Sequence, residues 1–159
     1  MQELQQMIAD FSKDAVLTPE LIHDRRTRII ALEIAMKQIP KSYDMAAFNP
    51  GKVKHHFGSG VYGRELFIPA GNVIVSKIHR GKTFNCIMQG EISVIDPVRG
   101  FNTYKAPHTF VSEPMTKRIV IAHTDVIWVT SHENPTNTED LEILEKNITA
   151  ESFLEIEGV

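Results

Sequence analysis

The fold is decided by residues 64 to 94, which read RELFIPAGNVIVSKIHRGKTFNCIMQGEISV. Short runs rich in Val, Ile, Phe and Thr are separated in this stretch by turn-forming residues at Gly71, Gly81 and Gly90. Such runs with glycines between them are typical of antiparallel strands that reverse at tight turns. The apolar residues do not follow the spacing of three and four that marks a helix, so we expect strands alone here.

The same pattern extends over the middle half of the chain. It predicts nine strands, at residues 53–57, 61–68, 72–79, 83–89, 91–96, 101–106, 108–112, 117–123 and 125–131. Eight or nine consecutive strands without a helix between them indicate an antiparallel sandwich or barrel. We therefore expect a mainly β domain over residues 50–133.

Both ends of the chain carry helical patterns. Residues 18–20, Thr-Pro-Glu, form a typical helix start, and an apolar stripe then runs from residue 22 to residue 39. A second, acidic helix is expected to begin at Thr138, with Leu144 and Ile148 on its apolar side. These patterns predict a helical extension over residues 1–45 and an acidic helix and tail over residues 134–159. The long stripe could pack on the β domain or on a second copy of the chain, and we expect a homodimer or higher homo-oligomer.

Composition limits the functional classes. The chain has 159 residues, 42% of them hydrophobic, and a single cysteine, Cys86, which excludes an internal disulfide and suits a reducing, cytoplasmic compartment. It has no apolar run of about 20 residues, so no membrane partner is expected. Eight acidic residues and one basic residue follow residue 132, which leaves a mildly basic body. That excess is too small for duplex nucleic acid but sufficient to hold one small anion.

Two stretches carry a resemblance to a known family. Residues 64–94, in which a glycine opens a strand, the strand ends at His79 and the return strand closes at Gly90, resemble the first motif of the cupin superfamily. Residues 105–132 resemble the second half of small cupins from tailed phages and prophages. The resemblance covers residues 53–132. It implies a cupin-like antiparallel β-barrel, also called a double-stranded β-helix or jelly roll, with helices added at both ends.

The resemblance also raises the question of a metal. Enzymatic cupins are similar to one another in using two histidines and a glutamate from the first motif and a third histidine from the second. His79 stands at the first of these positions, but the residue two places on is a glycine and Asn85 occupies the glutamate region. We therefore expect no cofactor. If a metal is bound, the resemblance implies Fe, Mn, Ni or Zn, with His79, His123 and His132 as candidate ligands.

Strand alternation points instead to a ligand pocket. Lys77 and His79 share one face of their strand, while Trp128 and His132 share one face of another. These side chains could line a common pocket, with two imidazoles and an aromatic plate. Equally, Trp128 could be a core aromatic and each histidine a hydrogen-bonded residue at a strand end.

Two arginines are candidate anion contacts. Arg64 lies in phase with apolar neighbours, so an inward guanidinium there needs either a buried acid or an anionic ligand. Its head could also lie in water at the barrel rim. Arg118 lies at the start of the predicted strand that runs to His123. Because a guanidinium forms two parallel bonds with a phosphate or carboxylate, we expect Arg64 and Arg118 to bind such a group.

Three functions are compatible with this sequence. The first is a phage-encoded cupin that binds a small anionic, nucleotide-like ligand in the barrel mouth and sequesters a host defence signal in the host cytoplasm. The second is a metal-dependent isomerase, epimerase or oxygenase, with Glu65 or Glu91 completing the metal site. The third is a structural component of a virion. The first is preferred because the metal motif is incomplete.

Overall fold

The computed structural model describes residues 11, 16–37, 43–44 and 53–157. The helices in these ranges are α1 (Pro19–Lys37), α2 (Leu141–Ile148) and α3 (Phe153–Glu157). The strands are β1 (Tyr43–Asp44), β2 (Val53–Gly58), β3 (Gly60–Ile68), β4 (Val73–Val75), β5 (Ile78–His79), β6 (Thr83–Gln89), β7 (Glu91–Asp96), β8 (Gly100–Lys105), β9 (His108–Ser112), β10 (Ile119–Ala122), β11 (Val126–Asn134) and β12 (Thr149–Ala150).

Two five-stranded sheets form the body of the protein. Sheet A has the order β1-β4-β10-β7-β8 and sheet B the order β2-β3-β11-β6-β9, while β5 and β12 form a separate pair. All pairings except that of β1 with β4 are antiparallel. The two sheets pack face to face. The predicted mainly β, cupin-like jelly roll with helical additions is thus confirmed, although no strand in the described ranges hydrogen-bonds sheet A to sheet B.

The inner face of sheet B changes from apolar to polar along its strands. Residues in register on β3, β11 and β6 form cross-strand rows. The rows are Leu66–Trp128–Ile87, then Arg64–Thr130–Asn85, then Tyr62–His132. The hydrophobic core packs around the first row and includes Ile68, Ile74, Val94 and Val120. One end of the jelly roll is therefore filled by aliphatic side chains, and polar groups lie at the other.

Helix α1 packs on the outer face of sheet A. The amide of Leu21 donates to Thr18 Oγ1, which confirms the predicted helix start. Ile29 and Leu32 from the predicted stripe are fully buried. They form a second core cluster with Phe11, Val75, Ile95 and Ile119. The stripe therefore packs on the chain's own sheet, and the homo-oligomer stays a prediction.

Two local predictions were wrong. The strand predicted over residues 72–79 is interrupted after Val75, because one extra residue shifts the register: Val75 pairs with Ile119, but His79 pairs with Thr116. The resumed strand, β5, also pairs with β12. The C-terminal helix begins after Asp140 and not at Thr138, because Asp140 Oδ1 accepts from the amides of Glu142 and Ile143. The predicted end of the long helix lies outside the described residues. No helix within those residues is both long and apolar enough to cross a bilayer.

The reversal at Gly90 yields a test of the packing. Gly90 has φ +86°, and a Cβ there would collide with the carbonyl oxygen of Asp125. Gly71 has φ +79° but open space around it, so it is a matched control. We expect Gly71→Ala to cost about 1–2 kcal/mol from the left-handed backbone alone. Gly90→Ala should cost a further 1–3 kcal/mol or so from steric overlap.

The measurement is the free energy of unfolding in urea for both variants. Equal losses of stability in the two variants would contradict the predicted steric overlap. They would mean that the backbone at residue 90 can move away from Asp125 without a cost in free energy.

Candidate functional site

A small cavity lies where the apolar and polar rows meet. It encloses about 40 Å³, enough for about three water-sized groups at roughly 10–15 Å³ each. Its walls are formed by Arg64, Leu66, Ile68, Ile74, Ser76, Lys77, His79, Val120, Trp128, Thr130 and Thr149. Among the described residues that line it are two cations and an imidazole, but no carboxylate.

Arg118 lies beside this cavity, inside the jelly roll. Its backbone is in hydrogen-bond contact with Ser76, which lines the cavity, and its side chain is 1% exposed. The guanidinium Nη1 donates to Asn85 Oδ1 over 3.2 Å, and its carbon lies 5.7 Å from the ring centroid of Trp128. The Trp128 indole donates to the same amide oxygen over 3.2 Å. Asn85 therefore joins the cation and the aromatic ring.

The rest of this guanidinium has no partner. Its Nε and Nη2 are buried and make no hydrogen bond to any residue that the structure describes. Burial lowers the pKa of Arg118 to about 10, partly opposed by the charge of Asp96. Asp96 itself accepts from the amides of Val98 and Arg99. Arg118 thus remains charged at neutral pH, and Asp96 does not form an ion pair with it.

Two stacked histidines border the cavity. The rings of His79 and His132 lie 5.2 Å apart and 7° from parallel, and His132 also stacks on Tyr62. Burial, with the charges of Arg118 and Arg64 added, lowers the pKa of His132 to about 4 and that of His79 well below its ordinary value. Both imidazoles are therefore neutral at pH 7. The Nδ1 of His79 is buried without a partner among the described residues.

This arrangement does not fit the predicted metal set. Imidazole lone pairs lie in the ring plane, so two parallel stacked rings do not converge on one ion. His123 bonds instead to Ser93, which lies on the outer face of sheet A. In the described part of the chain, no three His, Cys, Asp or Glu side chains are grouped as a metal site would require. Glu65 is likewise occupied, by Lys54 and His56.

Helix α2 covers the mouth of the jelly roll, which we define as the opening between Arg64 and Lys77. Glu145 of this helix accepts from Arg64 Nη2 over 2.6 Å and lies 3.4 Å from Lys77 Nζ. Burial raises the pKa of Glu145, but the two cations outweigh it, so the net pKa is below its ordinary value. Leu144 and Ile148 pack on Tyr62, and β12 pairs with β5, which holds the helix in place.

Most of the predicted ligand residues converge. Arg64, Lys77, His79 and Trp128 line the cavity, and Arg118 and His132 contact its walls. Sequence reasoning missed Asn85 and Glu145. The position of Asn85 was open to prediction, because it shares an inward strand face with Thr83 and Ile87. No sequence signal identifies Glu145 among the eight acids of the tail.

Comparisons with known proteins gave similarity to solved structures only. No family model and no curated protein matches the chain. A cupin superfamily protein from Desulfitobacterium hafniense is similar with a TM-score of 0.44 and 10% identity, over 54% of this chain and 80% of that one. An uncharacterized protein with a double-stranded beta-helix domain from Klebsiella pneumoniae gives 0.46 and 12%, over 57% and 84%.

An acetylacetone dioxygenase from Acinetobacter johnsonii gives a TM-score of 0.43 and 14% identity, over 54% of this chain and 65% of that one. At these identities the similarity concerns the fold alone. The assignment to the phage-type members stays a prediction.

The depressed histidine pKa values predict an acid-sensitive fold. A histidine whose pKa falls on folding binds fewer protons than it does unfolded, so stability is complete above pH 6.5 and falls as the pH drops toward 4. For His132 alone the loss is about 3 kcal/mol over that interval. The melting temperature should therefore decrease steadily between pH 7 and pH 5.

The control pair is His132→Gln against His23→Gln on the exposed surface of α1. The His132 variant should show a clearly smaller pH dependence than the wild type, and the His23 variant should not differ from it. An unchanged pH profile in the His132 variant would contradict the neutral, buried imidazole.

Proposed function

We propose that this protein is a small-molecule-binding cupin that holds an anionic ligand at the polar end of its jelly roll. One observation carries the proposal: the cavity is lined by Arg64, Lys77 and His79, with no carboxylate among its described walls. A third cation, Arg118, is buried beside it and forms no ion pair within the described residues. An anion is the ligand class that reduces the cost of these buried positive charges.

The size of the cavity favours a ligand of few atoms. A volume of about 40 Å³ is far smaller than the 300–1,000 Å³ or so that drug-sized ligands occupy. A nucleotide-like ligand would require helix α2 to move away from the mouth. Phage origin and the sequestration of a host defence signal rest on the sequence resemblance alone and stay predictions.

The mouth contact suggests how the ligand enters. Glu145 already places a carboxylate on Arg64 and Lys77, so it competes with any anion that approaches these cations from solvent. The segment that carries Glu145 is held by two apolar side chains and by the two-residue pairing of β12 with β5. Ligand entry is proposed to exchange the Glu145 contact for one with the ligand.

The enzymatic and structural alternatives lack a specific supporting observation. A metal-dependent isomerase, epimerase or oxygenase needs convergent ligands, and His79, His123 and His132 are not assembled in this way. No surface feature of the described residues points to a virion role. Anion binding is therefore the function that the site supports best.

Neutralising the internal carboxylate tests the proposal. Glu145→Gln should strengthen anion binding, because the mouth gains one uncompensated positive charge, whereas Arg64→Met should weaken it. Glu142→Gln, on the same helix but exposed, is the matched control. We expect changes of about three- to tenfold, as for a partly screened charge contact of roughly 0.7–1.4 kcal/mol.

The readout is the melting temperature against increasing acetate, succinate, inorganic phosphate and AMP, with sodium chloride added to constant ionic strength. At least one of these anions should stabilise the wild type saturably. If none does so in either the wild type or the Glu145 variant, the protein is not an anion-binding cupin.

A further inference from the structure

The unpaired atoms of Arg118 form one complete edge of its guanidinium. Nη1 is engaged by Asn85, whereas Nε and Nη2 have no partner among the described residues. In an arginine side chain the N–H bonds of Nε and Nη2 point the same way, side by side. This edge is the fork that receives the two oxygens of a carboxylate in parallel hydrogen bonds.

The environment of this edge is rigidly fixed. Asn85 Oδ1 accepts from both Arg118 and Trp128, while its amide donates to Thr83 O and Ser112 Oγ. The guanidinium also lies against the Trp128 ring. Because the surrounding groups already hold Arg118 in place, a ligand would lose little additional side-chain entropy on binding it.

The ion pairs at this end of the jelly roll leave Arg118 as the cation without a direct acidic contact among the described residues. Arg64 and Lys77 are already paired with Glu145, and Lys77 also with Glu151. Arg118 has no such ion pair with any residue of the described ranges. Asp96, the acid whose charge acts on Arg118, is bound to the amides of Val98 and Arg99 and forms no ion pair with it. A single carboxylate on the open edge of the guanidinium supplies the direct contact that Asp96 does not make.

We propose that the acid group of the ligand is a carboxylate bound in parallel by Nε and Nη2 of Arg118, and that the ligand is a short aliphatic monocarboxylic acid. This inference rests on the proposed anion-binding function and narrows it to one chemical class. The remainder of the molecule packs on the apolar cavity wall formed by Leu66, Ile74 and Val120.

The same geometry disfavours phosphate. A phosphate group carries four oxygens and more than one negative charge at neutral pH, and the oxygens that Arg118 does not bind need further donors. The apolar part of the cavity wall, formed by Leu66, Ile74 and Val120, offers no donors, and Arg64 and Lys77 are engaged at the mouth. A carboxylate uses both of its oxygens on the fork and leaves only apolar atoms for that wall.

Trp128 provides a direct readout because it is the only tryptophan in the chain. Its indole N–H donates to the oxygen that also accepts from Arg118. The experiment is a titration of ¹⁵N-labelled protein with acetate, propionate and butyrate, and separately with inorganic phosphate and AMP, at constant ionic strength. We expect saturable displacement of the single indole resonance by the monocarboxylates and no saturable displacement by phosphate or AMP.

Three variants locate the binding group. Arg118→Met removes the charge at similar length, and Arg118→Lys keeps the charge but lacks the fork. Loss of charge-assisted hydrogen bonds should weaken carboxylate binding by about ten- to a hundredfold in the Met variant, with a smaller loss in the Lys variant. Lys82→Met, which removes an exposed cation of the same body that is paired with Glu113, should bind like the wild type.

The outcomes separate this inference from the function beneath it. Carboxylate binding that survives in Arg118→Met, or saturable binding of phosphate or AMP in place of carboxylates, overturns the carboxylate site but leaves an anion-binding cupin. Absence of binding by every anion overturns both. If the Met variant does not fold, the wild-type ligand series and the Lys variant still decide, because carboxylate binding must be selective and must weaken when the fork is lost.

Discussion

The positive charge of Arg118, held between two β-sheets, is the constraint that organises the polar end of this protein. Removing a guanidinium from water costs several kcal/mol unless it is paired. Asn85 satisfies part of that requirement, and by accepting from Trp128 as well it fixes the ring on which the cation lies. The aliphatic rows next to them provide the apolar burial that offsets the remaining cost. The free energy gained by burying the aliphatic side chains thus offsets the cost of keeping a charged side chain at the polar end.

The histidines and the C-terminal helix follow from the same concentration of charge. Burial, reinforced by positive neighbours, lowers the pKa of His79 and of His132 and keeps both neutral, so their rings stack instead of repelling one another. At the mouth Arg64 needs an acid, and Glu145 provides it from a helix that arrives late in the sequence. The acidic tail is therefore part of the site, because one of its carboxylates pairs with a cation of the basic body.

The alternation of inward and outward side chains along each strand made the positions of several site residues predictable from the sequence. The inward positions of Trp128 and His132 follow from the two-residue period of β11, and the need of Arg64 for a counter-charge follows from its apolar neighbours. Sequence could not reveal that the acid is Glu145, nor that the strand breaks after Val75. The first depends on the docking of α2 onto a strand 81 positions earlier. The second depends on a register shift against the segment that precedes β10. Local patterns contain no information on such pairings.

Lys117 and Arg118 are adjacent in the chain but face opposite sides of sheet A. Lys117 reaches Glu33 of α1 on the outside over 3.0 Å, while Arg118 lies within the jelly roll. Inserting or deleting one residue just before this pair would send the guanidinium outward and the ammonium inward. Substitutions in this segment are therefore easier to accommodate than insertions or deletions. Homologues that keep the pocket should show neither an insertion nor a deletion here.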